Sequence, residues 1–370
     1  MKILSHPLHS RLFEGVEKEM RRLAKASENS LPSMGISFRV LFFAICVAVQ
    51  LGSSDVSLLG TASQDKKPGA LAPSLEEVVE DTTQLRLEGS RLFPVKPFLV
   101  EKDELDSFTR ELLVVQWRPN DPIYLYLMLP KGVNNPPVVF YLYSYPFELE
   151  VFRNDQLCRA LTAGGVAAAG FCSALTGHRY KDRPMKQWFV SELQESLVLT
   201  IHDVDMMIAY LSSRDDLGTS QIGVVGHGSG GTIAVLAAAL NSKVKAVDVI
   251  NPWANWPDWM RQSTLIPEEE RANFLKPDYL SRISYLDPLV WLPKLADKPL
   301  ELQLIMSDPQ NPEACLRSIA KAAPAGARVI QFPDSRVYAE SFTNGHAFDW
   351  IKRTLVSLGS QNTKPGDRTK

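Results

Sequence analysis

The stretch IGVVGHGSGGTIAVLAAAL, Ile222–Leu240, holds the residues whose types and spacing could do chemistry. An apolar run, a turn of small residues and a second apolar run read as strand, sharp turn and helix. Such a turn can hold up a nucleophilic side chain, because its strained backbone makes the side chain stand clear of its neighbours. In the wording Gly-His-Ser-x-Gly-Gly the serine comes third. Here Gly228 is third and Ser229, the one serine of the turn, is fourth. The same glycines also fit G-x-G-x-x-G through Gly226, Gly228 and Gly231, with Asp248 downstream, which would set a pyrophosphate on the helix N-terminus and a ribose hydroxyl on the aspartate. Two features weigh against that dinucleotide reading. Some five strands precede the motif, and Asp248 lies inside its own strand rather than at its carboxyl end. A third, plain reading is a glycine turn that packs a helix closely on a sheet.

The elements around this turn follow from periodicity. ELLVVQW (Glu111–Trp117) and IYLYLML (Ile123–Leu129), parted by RPNDP, predict an antiparallel hairpin. PVVFYLY (Pro137–Tyr143) and GVAAAGF (Gly165–Phe171) read as buried strands, with a helix near Arg153–Ala163 between them. Leu193, Leu197, Ile201, Val204, Ile208 and Leu211 recur at helical spacing and predict a helix over Glu192–Ser212. Beyond the turn come strands at Gln221–Val225, Val244–Ile250, Leu300–Met306 and Ala327–Phe332, with helices near Pro312–Ala322 and from about His346. The helix from Gly230 has an unbroken apolar run, Ile233–Leu240, so it should be buried all round. The predicted fold class is α/β: a mostly parallel central sheet with helices on both faces, an antiparallel N-terminal hairpin, and a cap-like insertion before the penultimate strand. Ligands of such sheets sit at the carboxyl ends of the strands.

The 370 residues have ordinary globular composition, 45% hydrophobic and 22% charged, and a net charge of −2. Lys and Arg are scattered, which argues against a nucleic-acid partner. The cysteines (Cys46, Cys158, Cys172 and Cys315) have no metal-ligand spacing and no disulfide framework, although one bridge is allowed. Near the N-terminus, VLFFAICVAV (Val40–Val49) follows Arg39; it has signal-peptide length and is too short to span a bilayer. Met34 offers an alternative start and Ser63 a mature N-terminus. The expectation is a secreted or periplasmic protein with no stable membrane span once mature. Its parts are an extension and signal over 1–62, a linker over 63–80, one domain over 81–360 with the insertion at 251–297, and a polar tail over 361–370.

Over roughly residues 90–360 the chain resembles the α/β-hydrolase superfamily, and most of all its dienelactone-hydrolase, acetyl-xylan-esterase and prolyl-oligopeptidase-like branches. The resemblance implies a nucleophile, an acid and a histidine in that chain order. The acid is expected just after the strand Leu300–Met306, where IMSDPQNPEA places Asp308. The histidine is expected before the last helix, where TNGHAFDWI places His346. Taken singly, each is as readily a turn or capping residue. Together they imply acyl transfer, in which Ser229 attacks an ester or related acyl carbonyl, His346 takes its proton and Asp308 orients the ring. Backbone N–H groups of Gly230 and of the YSYP turn, Ser144 above all, would hold the oxyanion. No cofactor and no metal are implied. The substrate is a small-molecule ester or acyl compound. In the competing register Gly228 replaces the nucleophile and the protein is a non-catalytic relative. Trp253, Trp256 and Trp259 open the insertion and could line an apolar pocket or pack the cap.

Overall fold

In the computed structural model the described residues run from 80 to 362, apart from 82, 87–95, 119–120, 146–148, 176–178, 180–188 and 344–345. The signal expectation and Cys46 lie outside them, as do the linker apart from residue 80 and the tail apart from residues 361–362. Among the described residues nine strands form one sheet in the order β1-β2-β3-β5-β4-β6-β7-β8-β9. These are β1 (Phe98–Glu104), β2 (Phe108–Val115), β3 (Ile123–Pro130), β4 (Pro137–Leu142), β5 (Ala167–Phe171), β6 (Gly218–His227), β7 (Val244–Ile250), β8 (Leu300–Ile305) and β9 (Arg328–Phe332). The pairings β1–β2, β2–β3 and β3–β5 are antiparallel, and every pairing from β5 through β4 to β9 is parallel. The predicted hairpin is β2–β3, closed in register from Val115 opposite Ile123 to Phe108 opposite Pro130.

Strand β1 is an addition to the expected set. Its residues FLVEKDE are almost all exposed, so it carries no buried alternation by which periodicity could find it. The helix expected near Arg153–Ala163 is α1 (Asp155–Thr162), preceded by a 3-10 turn over Glu150–Arg153. The side chain of Asn154 caps it by accepting from the Leu157 amide at 2.9 Å.

Helix α2 (Leu193–Ser212) and helix α3 (Ser229–Leu240) cover the central strands, and α3 is buried from Ser229 through Ala238. A helix apolar on every side has no solvent face to keep, so the sequence commits it to the interior. Each of its fully buried branched side chains contributes about 1.5–3 kcal/mol of transfer free energy.

The insertion between β7 and β8 folds into α4 (Trp256–Gln262), α5 (Glu268–Phe274), α6 (Pro277–Ile283) and α7 (Pro288–Trp291). Trp253, Trp256 and Trp259 are buried, with Trp253 and Trp259 rings 4.8 Å apart and Trp256 edge-on to Trp259 at 5.8 Å. They tie the insertion into the main apolar core. The chain continues through α8 (Glu313–Ala322), α9 (Ser335–Thr343) and α10 (Asp349–Asn362). The last helix therefore begins at Asp349, and α9 fills what the sequence suggests is loop. Cys158, Cys172 and Cys315 are buried. Among the described residues no helix is long and apolar enough to cross a membrane.

Candidate active site

Strand β6 lies in the middle of the sheet and ends at His227; α3 begins at Ser229. Gly228 alone makes the turn between them, at φ 55° and ψ −119°. An L residue adopts that conformation under strain, whereas glycine has no Cβ to oppose it. Neighbouring backbone holds the turn in place. The Gly228 amide donates to Ile250 O at 2.9 Å, and Gly228 O accepts from the amides of Thr232 at 3.1 Å and Trp253 at 3.3 Å. The Thr232 hydroxyl donates to Trp253 O at 2.7 Å, so the loop after β7 is tied to the first turn of α3. Gly230 is needed for close approach, because a Cβ there would collide with the backbone of Leu142 and lie 2.8 Å from Tyr143 O.

This geometry decides the register. The strained apex residue is Gly228, and Ser229 is the first residue of the helix. The expectation that Ser229 stands at the apex is therefore corrected. It is fully buried, and its hydroxyl accepts a 2.9 Å hydrogen bond from the Tyr145 amide. The amide after the apex belongs to Ser229 rather than Gly230, and in the β4 turn the Tyr145 N–H is taken up by Ser229 Oγ. The first amides of α3 have no intrahelical acceptor and add the positive end of the helix dipole.

Ser144 reaches the site by its side chain. A Cβ added at Gly228 would overlap Ser144 Oγ and lie 2.8 Å from Ser144 Cβ and 3.4 Å from Trp253 Nε1. Ser144 Oγ and Trp253 Nε1 are both buried without a hydrogen-bond partner. Tyr145 stacks on Phe189 at 4.5 Å and Phe189 packs against Trp253 at 5.9 Å, which walls this point with aromatic rings.

Asp308 follows β8, as the sequence order requires. Its Oδ2 accepts from Asn251 Nδ2 at 2.8 Å and Asn311 Nδ2 at 3.2 Å, and its Oδ1 from the Gln310 amide at 2.9 Å. Asn251, buried at φ 43°, also accepts the Ile305 amide at 2.7 Å, so one side chain pins the loops after β7 and β8 together. Nothing in the pattern of single residues marks Asn251 in advance. His346 precedes α10 and is 70% exposed; its Nδ1 lies 3.0 Å from Asp349 Oδ2. Asp308 and His346 each take other partners, and no hydrogen bond joins them. Asp349 is the carboxylate that holds the histidine. Its pKa is drawn below the ordinary aspartate value first by the hydrogen bond with His346, with burial opposing and Lys352 adding to the fall. The spacing His-x-x-Asp at the head of a helix was available as a signal.

His227, beside the apex, is driven toward its neutral form by burial, with the charge of Asp308 opposing, and its ring stacks over Tyr338 at 6.5 Å. Asp248 is fully buried in β7, where Gln303 Nε2 donates to both its oxygens at 2.9 and 3.1 Å. Burial raises its pKa well above the aspartate norm. A carboxyl so enclosed has no face for a ribose, which removes the residue the dinucleotide reading requires.

A sequence model of the dienelactone hydrolase family matches residues 152–273, the span that includes β6, the turn and α3. No curated protein sequence matches the chain. Among solved structures, an acetyl xylan esterase from Paenibacillus sp. R4 superposes with a TM-score of 0.55 at 16% identity, covering 72% of this chain and 90% of that one. Acetyl xylan esterase 1 from Thermoanaerobacterium sp. JW/SL YS485 gives 0.52 at 11% identity over 68% of this chain and 87% of that one. The acylaminoacyl peptidase of Pyrococcus horikoshii gives 0.51 at 12% identity over 72% of this chain and 44% of that one. Such identities speak to fold. With the strand order and the apex after the central strand they show that the chain has an α/β-hydrolase fold, and the span that matches the dienelactone hydrolase family lies across its central turn.

Proposed function

We propose that the protein hydrolyses carboxylic esters or related acyl bonds at the turn after β6. The family match across that turn and the esterase folds it superposes on support this reading. The observation that carries it is the apex itself: a residue held at φ 55° and ψ −119° between the central strand and the free amides of a buried helix. Those amides form a positive concavity for a developing oxyanion. A serine hydroxyl attacks the carbonyl, and His346 serves as base. Its Nδ1 is engaged by Asp349, which leaves Nε2 for the proton. No cofactor takes part. The test is steady-state hydrolysis of p-nitrophenyl acetate and butyrate by the purified protein. Saturable turnover above the buffer rate is expected, and its absence would overturn the reading.

A second reading has one observation in its favour. Glycine occupies the residue position whose side chain attacks in an active relative of this fold, and a chain without any hydroxyl there would bind an acyl ligand without cleaving it. The same assay separates the two. Export through the apolar run Val40–Val49 is part of the proposal, motivated by its length and by Arg39 before it. N-terminal sequencing of protein from its native host should find a start near Ser63; an intact Met1 in the cytosol would refute export.

A further inference from the structure

We propose that the nucleophile of this site is Ser144, a hydroxyl delivered to the apex from the loop after β4 while the apex residue itself supplies only backbone. The inference rests on the ester-hydrolase reading and names the residue that performs its covalent step.

Three observations converge on one point. First, Ser144 Oγ lies in the volume a side chain on Gly228 would need, since a Cβ built there overlaps the hydroxyl and meets Ser144 Cβ at 2.8 Å. The glycine and the serine are complementary: the hydroxyl stands beside the apex because the apex has no side chain. Second, Ser144 Oγ is a buried hydroxyl with no protein partner, and Trp253 Nε1, 3.4 Å from the same point, is another. A buried polar group left unpaired costs about 1–3 kcal/mol, and folding alone gains nothing by placing two such groups side by side. A carbonyl or alkoxy oxygen entering the site would give both a partner. Third, the alternative hydroxyl is already engaged. Ser229 Oγ is fully buried on the first turn of α3 and holds the Tyr145 amide at 2.9 Å. It fixes the β4 turn against α3, and this sets where Ser144 stands.

The step balances without a further reactant. Ser144 Oγ bonds to the carbonyl carbon, and its proton passes by way of His346 to the departing alkoxide. The ester C–O bond breaks and the alcohol leaves. Water then attacks acyl-Ser144, releasing the carboxylic acid and returning the proton to the serine.

The experiment is covalent capture by a fluorophosphonate probe, which loses fluoride as its phosphorus bonds to an activated serine oxygen. Digestion with trypsin separates the candidates, because Ser144 is the sole serine between Lys131 and Arg153, whereas Ser229 lies between Arg214 and Lys243. The expected adduct is on Ser144. Ser144→Ala should abolish it and lower p-nitrophenyl acetate turnover by about a thousandfold, and Ser144→Cys should regain acyl transfer in part. The wild-type adduct map decides the matter even if a variant folds poorly. An adduct on Ser229 with undiminished hydrolysis would overturn the assignment and leave the hydrolase reading standing. Neither adduct nor turnover would overturn both.

Discussion

Gly228 supplies the strained backbone of the turn, and Ser144 supplies the side chain beside it. That division makes two substitutions interdependent. Gly228→Ala places a Cβ at a positive φ and into Ser144, so it should cost about 1–3 kcal/mol in urea unfolding. In a Ser144→Gly background the same change should cost less, with a coupling of about 0.5–3 kcal/mol; strict additivity would mean that the two positions do not compete for space. A second residue-scale prediction concerns the orienting carboxylate. Asp349→Asn should lower kcat on p-nitrophenyl acetate more than Asp308→Asn, because Asp349 is the group at 3.0 Å from the His346 ring. The reverse order would restore Asp308 to that role. That Ser229, Asp308 and His346 follow the expected strands was legible in the sequence; neither the contact of Asp349 with the histidine nor the register was. Gly228 and Ser229 are both small, and a one-residue shift of the apex depends on a φ angle that the string GHGSGG does not encode.

Among the elements, the buried ones announced themselves and the exposed ones did not. The strands β2 to β8 and helices α2 and α3 have apolar patterns dictated by burial; β9, exposed or half-buried throughout, was legible from its alternation alone. Strand β1 is charged and exposed, and α9 mixes Arg, Glu and aromatics without a clean stripe. The tryptophan series had two readings as sequence; ring-to-ring packing decided for the core. A less visible feature is the pairing of Asp248 on β7 with Glu301 on β8, directly opposite in register. Burial raises both carboxyls, Asp248 well above its norm and Glu301 to about 7, and the charge of Glu301 adds to the first while Arg328, 2.6 Å away, partly offsets the second. The folded chain thus holds protons that the unfolded chain has released. Stability from these groups is complete below their unfolded values of 3.8 and 4.5 and declines as pH rises through the folded ones. Urea midpoints should therefore fall from about pH 5 to about pH 8, and Asp248→Asn should flatten that fall. Parallel slopes for the two proteins would contradict the pairing.

For the whole molecule, one buried ionic centre joins segments distant in sequence. Asp203 of α2 is fully buried and accepts from Arg118 Nη1 at 2.6 Å, Arg179 Nη1 at 2.6 Å and Trp117 Nε1 at 3.0 Å. Asp121 bridges the same two arginines at 3.1 and 2.6 Å, and Glu80 pairs with both Arg118 and His202. The chain before β1, the end of β2, the start of β3 and α2 all meet there. Asp203→Ala removes the fully buried carboxylate that two guanidinium groups share and should cost about 3–5 kcal/mol, read as a lowered thermal midpoint; an unchanged midpoint would deny the cluster that role. The sheet so assembled puts its parallel half, and the carboxyl ends of β4, β6, β7 and β8, around one turn. The claim that acyl transfer occurs at that turn is tested most directly by quenching the protein within its first turnover of p-nitrophenyl acetate and measuring the intact mass. The account predicts a burst of one p-nitrophenol per chain and a mass increase of one acetyl group. An unmodified chain with no release above the buffer rate would contradict it.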